Sequence, residues 1–518
     1  MLFPIPFYAK LRYIINMTIR EKLNSIAEKH IIVLDGAMGS VIQILNLDEK
    51  VYRGNLFTDH PIPLYGCNDL LCLTRPGAIG AIHDTYLEAG ADIIETCSFN
   101  SSSVRLSDYG LSHLSYEISA AAARIARKSA DRFSTTEKPR FVAGSLGPTS
   151  KNASQGEIGW DELEASYYDN ARGLLDGGAD IFLVETICDT INAKAALHAI
   201  NRLLEERRLD TPVIISAAIT DNGRLLSGQT LEAFFTSLQH ISRNDKPWAF
   251  GLNCSFNAAA LLPHLRLLSE IAPCIISAYP NAGLPNHYGR YEETPETMAD
   301  NIELFFKEGL VNIIGGCCGS TPAHIAAIAD KARNITPRKI PNFPRSIIYS
   351  GLETFVVENN IVYLNKKEDG SIVNIKADDE QTMTSLVTET LSNRYLAKSP
   401  FFINSREINV IISGLKLLQG HAFAGPIDLK NGETEFLKKA KLIQNYGAGA
   451  VIALIDERSD NDNSEEKQRK LEIAQRAYRL LQEIGFFANN IVFDLNTAKE
   501  DSICEWIRDN CPGALIAL

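Results

Sequence analysis

The sequence lacks an apolar run long enough to span a membrane, and it lacks an excess of positive charge. No 18 consecutive residues are apolar. Prolines, Lys10 and Arg12 interrupt the segment 1–16, which therefore resembles neither a membrane span nor a signal peptide. Lys and Arg total 51 against 63 Asp and Glu, a net charge of −12. This balance argues against a broad nucleic-acid-binding surface. We therefore expect neither membrane nor nucleic acid among the partners.

Cysteine is also sparse, because 10 cysteines are spread over 518 residues. They do not occur at the short, regular intervals of a secreted disulfide scaffold. The pattern favours a cytoplasmic protein with free thiols that are available as metal ligands. A chain of this length is too long for one ordinary core, so we expect two domains, each large enough to be a barrel.

Residues 31–316 alternate helical stretches with short apolar strands. The predicted strands are 31–35, 92–96, 141–146, 180–186, 213–219, 248–253, 274–279 and 312–316. Eight such strands separated by helices are typical of a (β/α)₈ TIM barrel. The alternative is a doubly wound sheet, which would be expected to carry a G-x-G-x-x-G phosphate motif after an early strand. The segment Asp35-Gly-Ala-Met-Gly39 lacks that spacing, so we favour the barrel.

A second series of βα units follows a proline-rich, basic stretch at 337–344. Its predicted strands are 360–365, 371–377, 401–404, 422–429, 450–456, 490–496 and 514–518. We therefore expect an N-terminal extension (1–19), a barrel (20–336), a linker (337–353) and a second, incomplete TIM-barrel-like α/β domain (354–518). The spacing Thr18-Ile-Arg-Glu21 predicts a capping box at the start of the first helix.

Polar residues follow the predicted strands of the first barrel, at the face where TIM barrels carry their chemistry. Three of them are cysteines, Cys254 in GLNCS and Cys317 and Cys318 in GGCCGS. A catalytic zinc site keeps three protein ligands and an open fourth position, and thiolates select zinc over hard cations. Zinc deprotonates a bound thiol and so activates it as a nucleophile. The alternative is that cysteines are buried core residues, which we expect for Cys97, Cys188, Cys274, Cys504 and Cys511.

Several motifs resemble, in order and spacing, the homocysteine-binding module of cobalamin-dependent methionine synthase, over roughly residues 20–335. They are LDGAMGSVIQ (34–43), GCNDLLCLTRP (66–76), HDTYLEAGADIIETCSFN (83–100), AGSLGPT (143–149), GADIFLVETICD (178–189), GLNCS (251–255), YPNAGLP (279–285) and GGCCGSTPAHI (315–325). The resemblance implies a zinc-dependent homocysteine S-methyltransferase that forms methionine, with Cys254, Cys317 and Cys318 as the zinc ligands and catalytic residues.

The same resemblance implies a set of contacts with homocysteine. The backbone around Asp35, Gly36 and Ala37 is expected to meet the polar end of the amino acid, with Asp35 and Glu185 pairing with its ammonium group. The alternative for Glu185 is a buried carboxylate that serves only the barrel structure. Weaker candidates lie at other strand ends, where Asn and Thr often only tie loops together: Thr96, Asn253 and Asn281.

The second half resembles the folate-binding barrel of methionine synthase in a truncated, degenerate form. The segments 374–380, 401–407, 416–432, 440–457 and 489–498 keep the family's order. The first βα unit is shortened to 354–370, Asn404 replaces an aspartate, and the chain ends at Leu518 before the last strand. We therefore expect a scaffold role and no folate binding for this half.

The methyl donor follows only indirectly from the resemblance. The D-x-H-x-x-G signature of a cobalamin-binding module is absent, so we expect methylcobalamin carried by a separate corrinoid protein. A small donor such as S-methylmethionine or betaine is the alternative. A non-catalytic barrel platform for a corrinoid or folate partner is a further alternative, although such a platform has no chemical reason to keep three exposed thiols.

Overall fold

The computed structural model describes residues 17–238, 247–341, 347–364, 371–458, 466–495 and 501–518. Most of the expected N-terminal extension, and residues 342–346 of the expected linker, therefore lie outside the described residues. The described helices are α1 (Ile19–Ala27), α2 (Met38–Ile44), α3 (Glu49–Arg53), α4 (Leu71–Thr74), α5 (Pro76–Glu88), α6 (Ser103–Leu106), α7 (Ser115–Phe133), α8 (Trp160–Gly177), α9 (Thr190–Arg207), α10 (Leu231–Leu238), α11 (Ala258–Ile271), α12 (Pro295–Lys307), α13 (Pro322–Ala332), α14 (Glu380–Ser392), α15 (Ile408–Leu415), α16 (Glu433–Asn445), α17 (Glu466–Glu483) and α18 (Asp501–Asn510). None of these is long and apolar enough to cross a membrane.

The strands divide the described chain into a barrel, a hairpin and a second parallel sheet. The barrel strands are β1 (Ile32–Val33), β2 (Ile93–Glu95), β3 (Phe141–Leu146), β4 (Ile181–Ile187), β5 (Val213–Ala217), β6 (Ala249–Asn253), β7 (Ile275–Tyr279) and β8 (Ile313–Ile314). The others are β9 (Ile347–Ser350), β10 (Thr354–Val357), β11 (Ile361–Val362), β12 (Val373–Lys376), β13 (Phe401–Asn404), β14 (Phe423–Leu429), β15 (Gly449–Asp456), β16 (Ile491–Asp494) and β17 (Leu515–Ala517).

The first sheet is a parallel (β/α)₈ barrel, as the sequence predicted. Its strands are ordered β1-β8-β7-β6-β5-β4-β3-β2, and a parallel bridge between Leu34 and Ile93 joins the two ends. Strand side chains alternate between two apolar layers. Those of Ile93, Ile181 and Ile313 belong to the core inside the barrel, whereas the next residue of each strand packs against the surrounding helices.

Helix α1 packs across the N-terminal end of the barrel. Leu23 and Ala27 of this helix are buried in the interior core, and the indole N–H of Trp248 donates to Asn24 Oδ1 at 2.8 Å. Burying one leucine side chain stabilises the fold by about 1.5–3 kcal/mol. The predicted capping box is confirmed: Thr18 accepts the N–H of Glu21 through its hydroxyl, and the Glu21 carboxylate accepts the N–H of Thr18. The buried side chains of α1 therefore close this end of the barrel.

The second half forms an incomplete barrel of parallel strands, as expected. The sheet order is β11-β17-β16-β15-β14-β13-β12, and β11 and β12 are its two edges within the described residues. The sequence pattern did not predict the antiparallel hairpin of β9 and β10. β9 lies within the range expected to be linker, and the proposed domain boundaries stay predictions.

The hairpin and the second sheet pack against α9 and α10 of the first barrel. Gln229, just before α10, donates to Gly351 O at 2.8 Å, and Ser237 of α10 is hydrogen-bonded to Ser350 at 3.1 Å. The centre of this interface is Lys194, which is only 2% exposed; its ammonium donates to Leu418 O at 3.1 Å and Gly420 O at 2.6 Å. Burial away from water lowers the pKa of Lys194 to about 7. One lysine of the first barrel is therefore enclosed by backbone of the second unit.

Candidate metal centre

Cys254 follows the last residue of β6 in an unusual backbone conformation. Its φ is 57° and that of Ser255 is 58°, the left-handed region in which non-glycine residues are uncommon and cost of order 1 kcal/mol or more. The chain therefore turns sharply at the barrel mouth. Cys254 Sγ then lies 3.8 Å from Cys318 Sγ.

Cys317 and Cys318 lie in a loop that two glycines hold close to β1. A Cβ on Gly315 would lie 2.8 Å from Leu34 Cβ, and a Cβ on Gly316 would lie 2.5 Å from Ser320 Oγ. Backbone hydrogen bonds fix the loop on its other side, where Cys317 N–H donates to Pro280 O at 2.7 Å. Strand β8 consequently ends at Ile314, two residues before the end of the predicted strand.

The three sulfur atoms fit the geometry of one zinc ion. They all lie within 4.8 Å of one another. Two thiolates on a tetrahedral zinc at about 2.3 Å from the metal are separated by about 3.8 Å, which is the Cys254–Cys318 distance. Hydrogen bonds from Cys254 and Cys317 lower the pKa of Cys318 and favour its thiolate. These residues form a compact, soft donor set with the chemistry that zinc prefers.

Tyr291 adjoins this cluster and was not predicted from the sequence. Burial, and then the nearby Cys318, raise the pKa of its hydroxyl, which is hydrogen-bonded to Cys318. Gly319 packs directly beneath the tyrosine, and an added Cβ there would overlap Tyr291 Cβ. An aromatic hydroxyl thus lies beside one of the three sulfurs.

The predicted contacts at Gly36 and Ala37 lie against the cysteine loop. Ala37 N–H donates to Ser320 Oγ at 3.1 Å, and the same hydroxyl donates to Cys317 O at 2.7 Å. A Cβ on Gly36 would lie 2.7 Å from Ser320 Oγ and 2.9 Å from Tyr86 Cε1, so only glycine fits. Ser320 therefore connects the turn after β1 to the turn after β8.

Asp35 and Glu185 are both buried beneath this mouth. Both carboxylate oxygens of Asp35 accept the N–H of Glu95 at 3.1 Å, and Glu185 Oε1 accepts the hydroxyl of Ser145 at 2.5 Å. Burial raises the pKa of Glu185 to about 7, although the Ser145 hydrogen bond opposes it, and the nearby Cys318 raises it further. Glu185 is therefore within electrostatic range of the cysteine cluster.

Asn253 lies at the edge of the cysteine cluster. Its Oδ1 accepts from Ser216 Oγ at 2.7 Å, and its Nδ2 lies 3.9 Å from Cys317 Sγ. Asn281 has a buried Oδ1 without a hydrogen-bond partner in the described chain. Thr96 accepts the N–H of Ser145 at 2.9 Å and bonds to Ser98, so it ties β2 to β3.

Glu95, the last residue of β2, is a partly buried acidic residue that sequence reasoning missed. Because strand residues alternate, Glu95 shares the interior face of Ile93, whereas Thr96 shares the outward face of Ile94. The signal was present in DIIET, where alternation from an inward Ile93 predicts an inward Glu95.

Comparison with known proteins gives one family match and several similar folds. The family profile described as homocysteine S-methyltransferase matches residues 32–332. The oxidized and metallated forms of the homocysteine methyltransferase MmuM from Escherichia coli each align at 22% identity over 61% of this chain and 100% of theirs, with a TM-score of 0.47. A B12-independent methionine synthase from Shewanella sp. W3-18-1, in complex with selenomethionine, aligns at 15% identity over 51% of this chain and 87% of its own, with a TM-score of 0.30.

Proposed function

Because the chain belongs to the homocysteine S-methyltransferase family, we propose that Cys254, Cys317 and Cys318 bind one zinc ion and that homocysteine is methylated beside it, giving methionine. Family membership by itself makes the chain a methyltransferase that acts on homocysteine. The observation that carries the finer proposal is the convergence of three sulfur atoms within 4.8 Å at the barrel mouth.

Zinc suits these three residues because soft thiolate ligands favour it over magnesium or calcium. When bound, it supplies a Lewis acid that lowers the pKa of a substrate thiol and leaves the sulfur as a thiolate. The protein keeps the ligands in place through the two left-handed residues after β6 and the bonds of Ser320 to Cys317 O and Ala37 N. Pre-positioned ligands reduce the entropy that binding would otherwise lose.

The surrounding residues orient the amino acid. Backbone around Asp35, Gly36 and Ala37 meets its polar end, and the buried carboxylates at Asp35 and Glu185 favour its positive charge. Methyl transfer then follows by in-line attack: a bond forms between the thiolate sulfur and the methyl carbon while the bond from that carbon to the donor breaks, and the thiol proton is released to solvent. The protein contributes orientation of the two reactants, which alone lowers such barriers substantially.

A corrinoid protein is the donor that we favour, because the loops around the mouth expose apolar side chains. Leu56 and Tyr65, in the segment between α3 and α4, are each 66% exposed, and Leu284 and Tyr288, in the loop after β7, are 60% and 76% exposed. Exposed apolar groups on the loops at one end of a barrel are consistent with a protein-binding surface. A small donor such as S-methylmethionine or betaine would need no such surface.

We propose that the second unit is a degenerate pterin-binding-like domain with a scaffold role. A cavity of about 810 Å³ opens at the carboxyl ends of its strands, lined in part by Asn374, Lys376 and Asn404. Asn404, the last residue of β13, donates to Oδ1 of Asn374 within β12 at 3.2 Å, so these two amides are bonded to each other. The aspartate that the resemblance to the folate-binding barrel leads us to expect at this position is replaced by Asn404, which supports a loss of folate binding.

The proposal is tested by metal analysis together with a donor assay. We expect about one zinc ion per chain, loss of that zinc in Cys317→Ala, and retention in Cys274→Ala. Cys274 is a buried cysteine just before β7, at the opposite end of the same barrel, and so is a matched control. Methylcobalamin, S-methylmethionine and betaine are then offered separately with homocysteine.

Methyl transfer from methylcobalamin, and from neither small molecule, would favour a corrinoid protein as the donor. Methyl transfer from S-methylmethionine or betaine would instead identify a small-molecule donor. A wild-type preparation that binds no zinc after supply of the metal contradicts the proposed function. If that preparation nevertheless captures a corrinoid protein, the platform alternative is correct.

A further inference from the structure

Thr186 and Asn253 are paired at the ends of β4 and β6, beside the cysteine cluster. Thr186 has a φ of 54°, and the pairing of β4 with β5 shifts register between Val184 and Ile187. A β-branched residue rarely adopts this left-handed conformation, so its surroundings must hold it there. Thr186 N–H donates to Asn253 Oδ1 at 3.1 Å, and Thr186 Oγ1 accepts from Asn253 Nδ2 at 2.7 Å. Irregularities of this kind redirect side chains next to active sites.

The contacts of Asn253 use the whole hydrogen-bonding capacity of its amide. The N–H of Thr186 can only donate, so it identifies Oδ1 as the atom that faces β4. Oδ1 also accepts the hydroxyl of Ser216, from β5, at 2.7 Å, and Nδ2 also donates to Cys317 Sγ at 3.9 Å. An asparagine amide has two acceptor lone pairs and two N–H donors. All four are therefore used within the barrel, by a side chain that is only 1% exposed.

Asn253 is connected to two of the three cysteines. Its amide is hydrogen-bonded to Cys317, and its backbone continues directly into Cys254, whose φ of 57° turns the chain. These two cysteines follow β6 and β8, which are separated by β7 in the sheet. An amide that is fixed by β4 and β5 therefore relates the position of one cysteine loop to that of the other.

Such a contact has a chemical effect as well as a geometric one. Groups that hydrogen-bond to metal ligands orient those ligands and adjust the affinity for the metal. An N–H that donates to a thiolate sulfur also draws negative charge from it, because the hydrogen bond is assisted by that charge. The Asn253 amide is placed to do both at Cys317.

We propose that Asn253 is a positioning residue of the metal centre, and that its amide, held by Thr186 and Ser216, orients the Cys317 thiolate and draws charge from it. This inference rests on the proposed function, because it takes the three cysteines as metal ligands. It also replaces the contact with homocysteine that the resemblance implies for Asn253, because the amide has no donor or acceptor left for a substrate.

The test uses zinc affinity and the absorption spectrum of the cobalt(II)-loaded protein. Cobalt(II) occupies thiolate sites like those of zinc but absorbs light, and its sulfur-to-metal charge-transfer band depends on the negative charge of the sulfur. Asn253→Leu keeps a similar volume and removes the amide. We expect its zinc affinity, measured by competition with a chelator, to fall by about 10- to 100-fold. We also expect the charge-transfer band to move to lower energy, because the Cys317 thiolate retains more charge.

Two variants of Thr186 test how the amide is held. Thr186→Val keeps the shape of the side chain but removes the hydroxyl, so Asn253 Nδ2 loses its shorter hydrogen bond. Zinc affinity should then fall by about 10-fold, as for the loss of one hydrogen bond. Thr186→Ser restores the hydroxyl and should restore both the zinc affinity and the position of the cobalt band. If Asn253→Leu does not fold, a Thr186→Val protein with the wild-type affinity and band overturns the inference.

Asn312→Leu is the matched control. Asn312 is a buried asparagine just before β8, at the opposite end of the same barrel, and is 2% exposed. Its Oδ1 accepts the N–H of Ile276 at 3.1 Å, and its Nδ2 donates to Arg338 O at 2.8 Å. Its replacement should lower thermal stability and leave the zinc affinity and the cobalt band unchanged.

The inference is wrong if Asn253→Leu keeps the wild-type zinc affinity and cobalt band. It is also wrong if Asn312→Leu changes both quantities as much as Asn253→Leu does, since a general loss of stability would then explain the effect. A wild-type protein that binds neither zinc nor cobalt(II) instead contradicts the proposed function. The wild-type titration alone therefore distinguishes the two failures.

Discussion

Replacing Lys194 by methionine should make the stability of the protein respond differently to pH. Lys194 is 2% exposed and donates to two backbone carbonyls, Leu418 O and Gly420 O. Methionine has a similar length and no charge, so it fills the same space. The substitution leaves two buried carbonyls without their partner, which costs about 1–3 kcal/mol each, but it also removes the cost of burying a cation.

The size of the pH effect follows from the lowered pKa. Burial lowers the pKa of Lys194 from its ordinary 10.5 to about 7, and this difference of 3.5 (10.5 − 7) corresponds to about 5 kcal/mol. Between pH 7 and 10.5 the unfolded chain holds a proton that the folded chain has lost, so stability rises with pH. The stability that the folded chain gains from the uncharged Lys194 is fully present above pH 10.5 and is lost as the pH falls through 7.

The assay is urea unfolding of wild type and Lys194→Met, followed by circular dichroism at several pH values from 7 to 9.5. The free energy of unfolding of wild type, relative to the variant, should increase by about 3 kcal/mol over the range, because the slope reaches about 1.4 kcal/mol per pH unit only above the folded pKa of about 7. Lys416→Met controls for loss of a lysine at the same interface, because Lys416 pairs with Asp161, whose side chain is 84% exposed. A wild-type-to-variant difference that stays constant with pH would refute the reasoning and show that Lys194 remains charged throughout.

Two other substitutions test the loop contacts at the barrel mouth. Ser320→Ala removes the hydroxyl that accepts from Ala37 N–H and donates to Cys317 O, so zinc affinity, measured by competition with a chelator, should fall by about 10-fold, equivalent to one hydrogen bond of about 1–1.5 kcal/mol; unchanged affinity contradicts this. Gly36→Ala places a Cβ 2.7 Å from Ser320 Oγ and 2.9 Å from Tyr86 Cε1, so thermal unfolding should show a loss of about 1–3 kcal/mol from overpacking, and a variant as stable as wild type would show that the turn relaxes freely.

Local pattern was sufficient to predict the barrel and its cysteines. Most barrel strands are short apolar runs buried on both faces, and such runs between helices are typical of a parallel sheet. Cys254, Cys317 and Cys318 follow strands β6 and β8, so the topology alone brings them to one face. Their ligand role stays a prediction, although the sulfur separations suit it.

The sequence was less informative where a feature depends on alternation or on distant packing. Glu95 and Thr96 are adjacent at the end of β2, and only the alternation fixed by Ile93 shows that Glu95 is the inward residue. Thr96 instead bonds to Ser98 and Ser145. Strand ends must therefore be analysed with their register, not only by residue type.

Lys194 illustrates the second limit. Within α9 its local sequence is that of an ordinary helix residue, and lysines are almost always exposed. Its burial arises only because residues 418–420, more than 200 positions away, pack over it. The β9–β10 hairpin is similar, since its Ser350 is bonded to Ser237 of α10 in the first barrel.

The helix that covers the N-terminal end of the barrel has a consequence for how substrate and product reach and leave the site. Because Leu23 and Ala27 are buried at that end of the barrel interior, we expect the proposed acceptor, donor and product to reach the cysteines through the opposite mouth of the described barrel. A bulky donor protein seated there would block exchange of the small amino acid beneath it. Turnover would then follow a fixed order of binding. Homocysteine would bind first, the donor protein would bind second, and methionine would be released only after the donor protein had dissociated.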